Sequence, residues 1–119
     1  MTLRPPRKVE SRLWRKTPFD ALEYEIGQEQ AATLGRLGRR LEDALAALAA
    51  FDADTEDAAL SAERRERRAA LVDEAGEALW HFIVQREVLG LGDSARVLRD
   101  YGVPDEVRHR MGVVRPSRG

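Results

Sequence analysis

The chain has 119 residues, 43% hydrophobic and 34% charged, with a net charge of −1 and no cysteine. This length suits one domain with its own core, and the composition suits a globular protein, without the run of about 20 charge-free apolar residues that a membrane span needs. The lack of cysteine excludes disulfides and thiolate metal sites and fits a cytoplasmic location.

The net charge hides an asymmetry. Residues 1–16 carry +5, residues 17–95 carry −9 and residues 96–119 carry +3, so an acidic body is flanked by two basic ends. Only two of the twenty basic residues are lysine, and alanine is abundant. That bias is read as GC-rich bacterial coding rather than as an arginine-specific function. No apolar run follows the first basic residues, so no secretory signal is expected.

Residues 1–16 read as a basic N-terminal arm, with Pro5-Pro6 opposing helix. Trp14 is its one large aromatic. The plain reading is that Trp14 packs onto the helical body. The alternative is a nucleic-acid contact, with Trp14 stacking on a base and Arg12, Arg15 and Lys16 on phosphates.

Thr17-Pro18-Phe19-Asp20 is a helix start, with Thr17 as cap, Pro18 in the first turn, and Asp20, Glu23 and Glu25 complementing the dipole. Phe19, Leu22, Ile26, Leu34, Leu37, Leu41, Leu45, Leu48 and Phe51 then mark one stripe without an intervening proline. A helix of about 33 residues would run roughly 50 Å, a length typical of a hairpin arm. Gly27, Gly35 and Gly38, with Ala31 and Ala32, form a strip of small residues that would admit a close neighbour.

Asp52 to Asp57 is a polar, acidic turn; Thr55 could cap the next helix, or that helix could begin at Ser61. Glu63 to Arg68 is charged at every position and reads as a solvated face. Val72, Ala75, Leu79, Phe82, Ile83 and Arg86 recur at helical spacing, and Gly90 is a natural stop. Ala78, Leu79, Trp80, Phe82, Ile83 and Val84 point almost all round that helix. Such a segment must be covered on more than one side, either by the C-terminal segments or by a second subunit. Trp80, Phe82, Ile83 and Val84 are therefore the interface candidates.

Two short helical units follow. The first is capped by Asp93 or Ser94 and stopped by Gly102; the second is opened by Pro104 and stopped by Gly112. Val97, Leu98, Tyr101, Val103, Val107 and Met111 are expected to cover part of the second long helix, with residues 113–119 as a frayed tail.

A loop centred near residues 54–55 would set Ile26 opposite Ile83 and Gln28 opposite His81. A polar interhelical line of Glu25, Gln28, Glu77, His81 and Gln85 would result, serving either as a hydrogen-bonded network or as a metal or acid–base site at Glu77 and His81. Glu77-x-x-x-His81 occurs once and has the wrong spacing for the di-iron pattern of helical bundles, so no metal or other cofactor is expected. His109 lies in a surface-like Arg-His-Arg segment. No phosphate-binding glycine loop, nucleophile elbow or His-Glu-x-x-His occurs. Arg36, Arg39, Arg40 and Arg86 read as solvated or intrahelical, which weakens any dicarboxylate-binding enzyme of the bundle type.

Leu22-Glu-Tyr-Glu-Ile26, Leu34-Gly-Arg-Leu-Gly38, Trp80 with Gln85-Arg-Glu87, and Tyr101-Gly-Val-Pro104 with Arg110-Met-Gly112 resemble a group of short all-helical bacterial proteins of unassigned function. The resemblance spans roughly residues 17–112 and implies an all-helical fold; it carries over no functional residue. The expectation is an all-α domain over residues 17–112: a long antiparallel hairpin with two short C-terminal helices, dimerising into a four-helix core. Its expected role is a non-enzymatic interaction or scaffold module with an unknown protein partner, not a membrane protein.

Overall fold

A computed structural model describes residues 18–54 and 61–112. The arm at 1–16, Thr17, Thr55 and the tail at 113–119 lie outside the described residues. Within them, every regular element is a helix: α1 is Pro18–Ala53, α2 Ala62–Val88, α3 Ser94–Asp100 and α4 Asp105–Arg110. The fold is all-α, with one long antiparallel pair followed by two short helices, as the sequence pattern predicts.

Local chemistry explains the boundaries. α1 begins at Pro18, whose fixed φ and missing N–H suit a first turn. Of the two starts open for α2, the later one holds: the Ser61 hydroxyl accepts from the Arg64 N–H at 3.1 Å. Asp93 caps α3 by accepting from the Arg96 N–H at 3.2 Å, while itself in the left-handed region at φ 54°. Gly102 and Gly112 end α3 and α4 with φ 61° and 77°, values open to glycine without strain.

The chain divides into two compact units, residues 1–33 and 34–119, with the boundary inside α1. In the first, the described residues form the opening half of α1. Phe19, Leu22, Tyr24 and Ile26 are exposed there. The Gln28 amide donates to the Tyr24 hydroxyl at 3.2 Å, and no atom lies within 4 Å of where a Gly27 side chain would start. The predicted stripe therefore splits. It is buried only from Leu34 onward.

The second unit holds the core. Leu41, Ala44 and Leu48 of α1 meet Val72, Ala75, Ala78, Leu79, Phe82 and Ile83 of α2, joined by Val97 of α3 and Val107 of α4. Leu41, Leu79 and Val107 are fully buried. Removing a leucine of this kind down to Ala costs about 2–5 kcal/mol. Leu98, Tyr101, Val103 and Met111 pack around this cluster, so the C-terminal segments do cover α2, as expected.

The register differs from the one inferred from the loop. Gly38 faces the Phe82 ring, Arg40 faces His81 and Asp52 faces Arg68. His81 thus meets position 40 instead of 28, twelve residues along and a little over three turns. Gln28 bonds within its own helix. Of the polar line Glu25, Gln28, Glu77, His81 and Gln85, the α2 members Glu77 and His81 meet Arg40.

α4 is fastened to α2 along its length. A Cβ at Gly76 would lie 2.9 Å from the Arg110 Cβ and 3.1 Å from its carbonyl carbon and oxygen. Arg110 donates from Nε to the Asp73 carboxylate at 2.7 Å. At the other end of α4, Glu106 accepts two bonds from Arg68 at 3.0 and 2.7 Å. Acids at the start of α4 and bases at its end also suit its dipole.

Candidate functional site

Two features of the second unit are candidates. The first is a polar cluster on the α1–α2 seam. The Arg40 guanidinium contacts His81 Nδ1 at 2.9 Å, donates to Glu74 at 3.4 Å and lies 3.7 Å from Glu77. A guanidinium only donates, so His81 Nδ1 accepts and its proton sits on Nε2. The arginine is placed by helical spacing: Arg36, Arg39 and Arg40 share one face of α1, and α2 presents Glu74, Glu77 and His81 across from Arg40. Arg36, Arg39, Arg40, Asp43, Ala44 and Glu74 line an open groove of about 390 Å³.

This arrangement alters the reading of the Glu77–His81 pair. The Arg40 guanidinium engages His81 Nδ1 and lies beside Glu77, and no group of three metal-ligating side chains occurs among the described residues. Gln85 is half-buried on the same helix. Arg40 is also not the solvated residue that its sequence setting suggested.

Nor is Arg86. Its Nη2 donates to the Gly92 carbonyl at 3.1 Å, and its guanidinium lies 5.9 Å from the Phe82 ring centroid, so it ties the α2–α3 turn to the core. The Phe82 ring in turn meets Tyr101 edge to face at 5.4 Å. Burial pushes the Tyr101 hydroxyl pKa up, and the nearby Glu42 carboxylate pushes it the same way, so this phenol stays neutral.

A second arginine joins three helices. Arg68 pairs with Asp52 at 2.7 and 2.9 Å and with Glu106 at 3.0 and 2.7 Å. Hydrogen bonds from Arg68 hold both carboxyls below their ordinary range, and the two carboxylates raise the Arg68 pKa still further. Arg64 stacks over Phe51 at 4.5 Å. Two members of the charged run 63–68 therefore turn inward, whereas the alternating charges had suggested a wholly solvated face.

The second candidate is apolar. Of the four interface candidates, Phe82 and Ile83 are buried inside the chain, covered by α1, Tyr101 and the C-terminal helices. Trp80 and Val84 remain 44% and 36% exposed, and with Val88 at 67% they form a row on one side of α2; Leu91, just past the end of the helix, is 49% exposed. The spacing of 80, 84 and 88 keeps that row on a single helix face. Gly112 rests on the six-membered ring of Trp80, where a Cβ would lie 3.3 Å away. The alternative nucleic-acid residues Arg12, Trp14, Arg15 and Lys16 lie outside the described residues.

Sequence reasoning missed Gly76 and Arg68. Gly76 did carry a signal: a glycine beside Ala75 and Ala78 on the apolar face, where only a close neighbour offsets its cost of about 1 kcal/mol in a helix. Arg68 carried none, because its two acids are 16 and 38 residues away.

No helix among the described residues is long and apolar enough to cross a membrane. No curated protein and no solved structure matches the chain. A family profile does, over residues 13–118, and the chain is thereby a member of DUF6665, a family of unknown function.

Proposed function

We propose that the protein is a non-enzymatic protein–protein interaction module that self-associates as a dimer. The observation that carries this reading is the exposed row of Trp80, Val84 and Val88. Single exposed apolar residues are ordinary on a protein surface. Three on one helix face, with Leu91 exposed just past its end, offer apolar surface of the kind that marks an interaction site. The opening half of α1 carries a second row, Phe19, Leu22 and Ile26, also exposed.

Light scattering on a sizing column tests the reading, using the full chain, a Val84→Glu/Val88→Glu variant and a chain lacking residues 1–16. A dimer is expected for the wild type and the truncated chain, and a monomer of unchanged helix content for the double variant. A wild-type monomer at micromolar concentration would overturn the proposal.

A further inference from the structure

We propose that the chain's own tail, residues 113–119, seats on Trp80 and Val84 and competes there with the second copy for the exposed row. The tail reads Val113-Val114-Arg115-Pro116-Ser117-Arg118-Gly119, with two valines first and two arginines after them. The sequence alone reads it as frayed; the place where the described chain ends gives it a seat. The seat does not depend on the dimer proposed above, whereas the competition rests on it.

α4 advances in the same direction as α2. Glu106 is bonded to Arg68, Arg110 is bonded to Asp73 and packs on Gly76, and Gly112 lies against Trp80. Each step forward along α4 thus meets a later position of α2. A Cβ at Gly112 would stand 3.3 and 3.4 Å from two carbons of the Trp80 six-membered ring. The chain therefore leaves the described residues on the first member of the row, heading towards Val84 and Val88.

Reach and chemistry agree with that heading. Along the α2 axis Val84 lies about 6 Å beyond Trp80 and Val88 about 12 Å. An extended chain covers about 3.3 Å per residue, so Val113 and Val114 come level with the interval from Trp80 to Val84. Arg115, about 10 Å out, comes level with Glu87, which is exposed and lies on the same face as Val84. Two apolar side chains thus meet exposed apolar surface, and a guanidinium meets a carboxylate. Two valines do not extend over Val88 and Leu91 as well, so the tail is a partial cover. A second copy that packs on Trp80 and Val84 has to displace it.

The seat is tested in a full-length Val88→Glu chain, which places a charge on the row to disfavour the dimer and leaves Trp80 and Val84 intact. Nuclear Overhauser contacts are expected there from the Val113 and Val114 methyls to the Trp80 ring and the Val84 methyls. In a mixture of isotope-labelled and unlabelled chains they should arise within one chain. Their absence, or contacts only between chains, would overturn the seat. The competition is tested by sedimentation equilibrium of the full chain, a chain ending at Gly112 and a Val113→Asp/Val114→Asp variant. A tail seated about nine-tenths of the time leaves about a tenth of the subunits competent, so freeing both partners should tighten the dimer about a hundredfold. Both altered chains should show this gain at unchanged helix content. An unchanged dissociation constant, or a weaker dimer after tail removal, would overturn the competition. A chain that stays monomeric with and without its tail would sink the dimer reading and the competition together, while the contacts still decide the seat.

Discussion

Replacing Gly76 by alanine adds one methyl group at the tightest place in the described chain. The new Cβ would sit 2.9 Å from the Arg110 Cβ and 3.1 Å from two backbone atoms of that residue. Ordinary contact begins near 3.4 Å, so α4 must retreat by about half an ångström or more, and backbone cannot swing aside as a side chain can. The retreat would loosen the fully buried Val107 and the Arg110–Asp73 pair. Overpacking of this kind costs about 1–3 kcal/mol, while alanine's better helix propensity returns about 1 kcal/mol. The net expectation is a loss of up to about 2 kcal/mol, with a fall in Tm of about 4–8 °C per kcal/mol for a unit of this size. Gly27→Ala is the internal control, because nothing lies within 4 Å of its added methyl; helix content should hold or rise. Thermal and urea unfolding followed by circular dichroism would measure both variants. A Gly76→Ala protein stabilised by the full ~1 kcal/mol that helix propensity alone would give would refute the close seating of α4 on α2.

The remaining expectations concern charge and core. Hydrogen bonds from Arg68 depress the Asp52 and Glu106 pKa values, so their stabilisation is complete above the unfolded value of about 4 and fades as pH falls through the folded values. Their side chains are 46% and 48% exposed, so solvent screening limits the effect to about 1 kcal/mol or less per pair. Arg68→Met should therefore show a shallower loss of stability between neutral and acid pH than the wild type; equal slopes in urea unfolding would contradict this. Phe82→Ala should cost about 3–5 kcal/mol, since the ring is buried against Tyr101 and Gly38, and a loss under about 1 kcal/mol would place the ring outside the core. Ring nitrogen shifts of His81 should report the Nε2–H tautomer near pH 8, because Arg40 donates to Nδ1; an Nδ1–H tautomer would dissolve the cluster.

Helix boundaries were legible because they depend on neighbours in sequence. Pro18, Ser61, Asp93, Pro104, Gly102 and Gly112 each act within a turn of their own position. Register was not legible, for the opposite reason. It depends on where the loop is centred, and starting α2 after Ser61 rather than after Thr55 shifts every facing pair. The rest of the difference lies in how far each helix runs past the other's first contact, which the packing of Gly38 under Phe82 decides. Long side chains fail for a related reason. Arg40, Arg68 and Arg86 sit in charged or polar sequence, yet each reaches a partner on another element or turn. A charge pattern reports what is nearby in sequence, not what a flexible arginine reaches in space.

The segment from Ala78 to Val84 shows how much cover one chain of this design supplies. Residues 34–53 of α1 close one side of α2, and α3, α4 and Tyr101 close another. α4 has only six residues, too few to hold helical form unaided, so its order comes from Val107, Gly76 and the two arginine pairs. Those pairs hold it against the Arg68–Gly76 stretch of α2, and just beyond that stretch Gly112 rests on Trp80, which stays 44% exposed among the described residues. Extending the cover to Val84, Val88 and Leu91 would take a further apolar face, and the short helices have already spent theirs on Val97 and Val107. The outward positions of α3 and α4 are charged instead: Arg96 pairs with Asp100 and Arg108 with Asp105 within their own helices. The second subunit proposed for the exposed row would have to bring its own apolar stripe, and it would meet a helix packed on its two other sides, so little conformational entropy would remain to be lost there on binding.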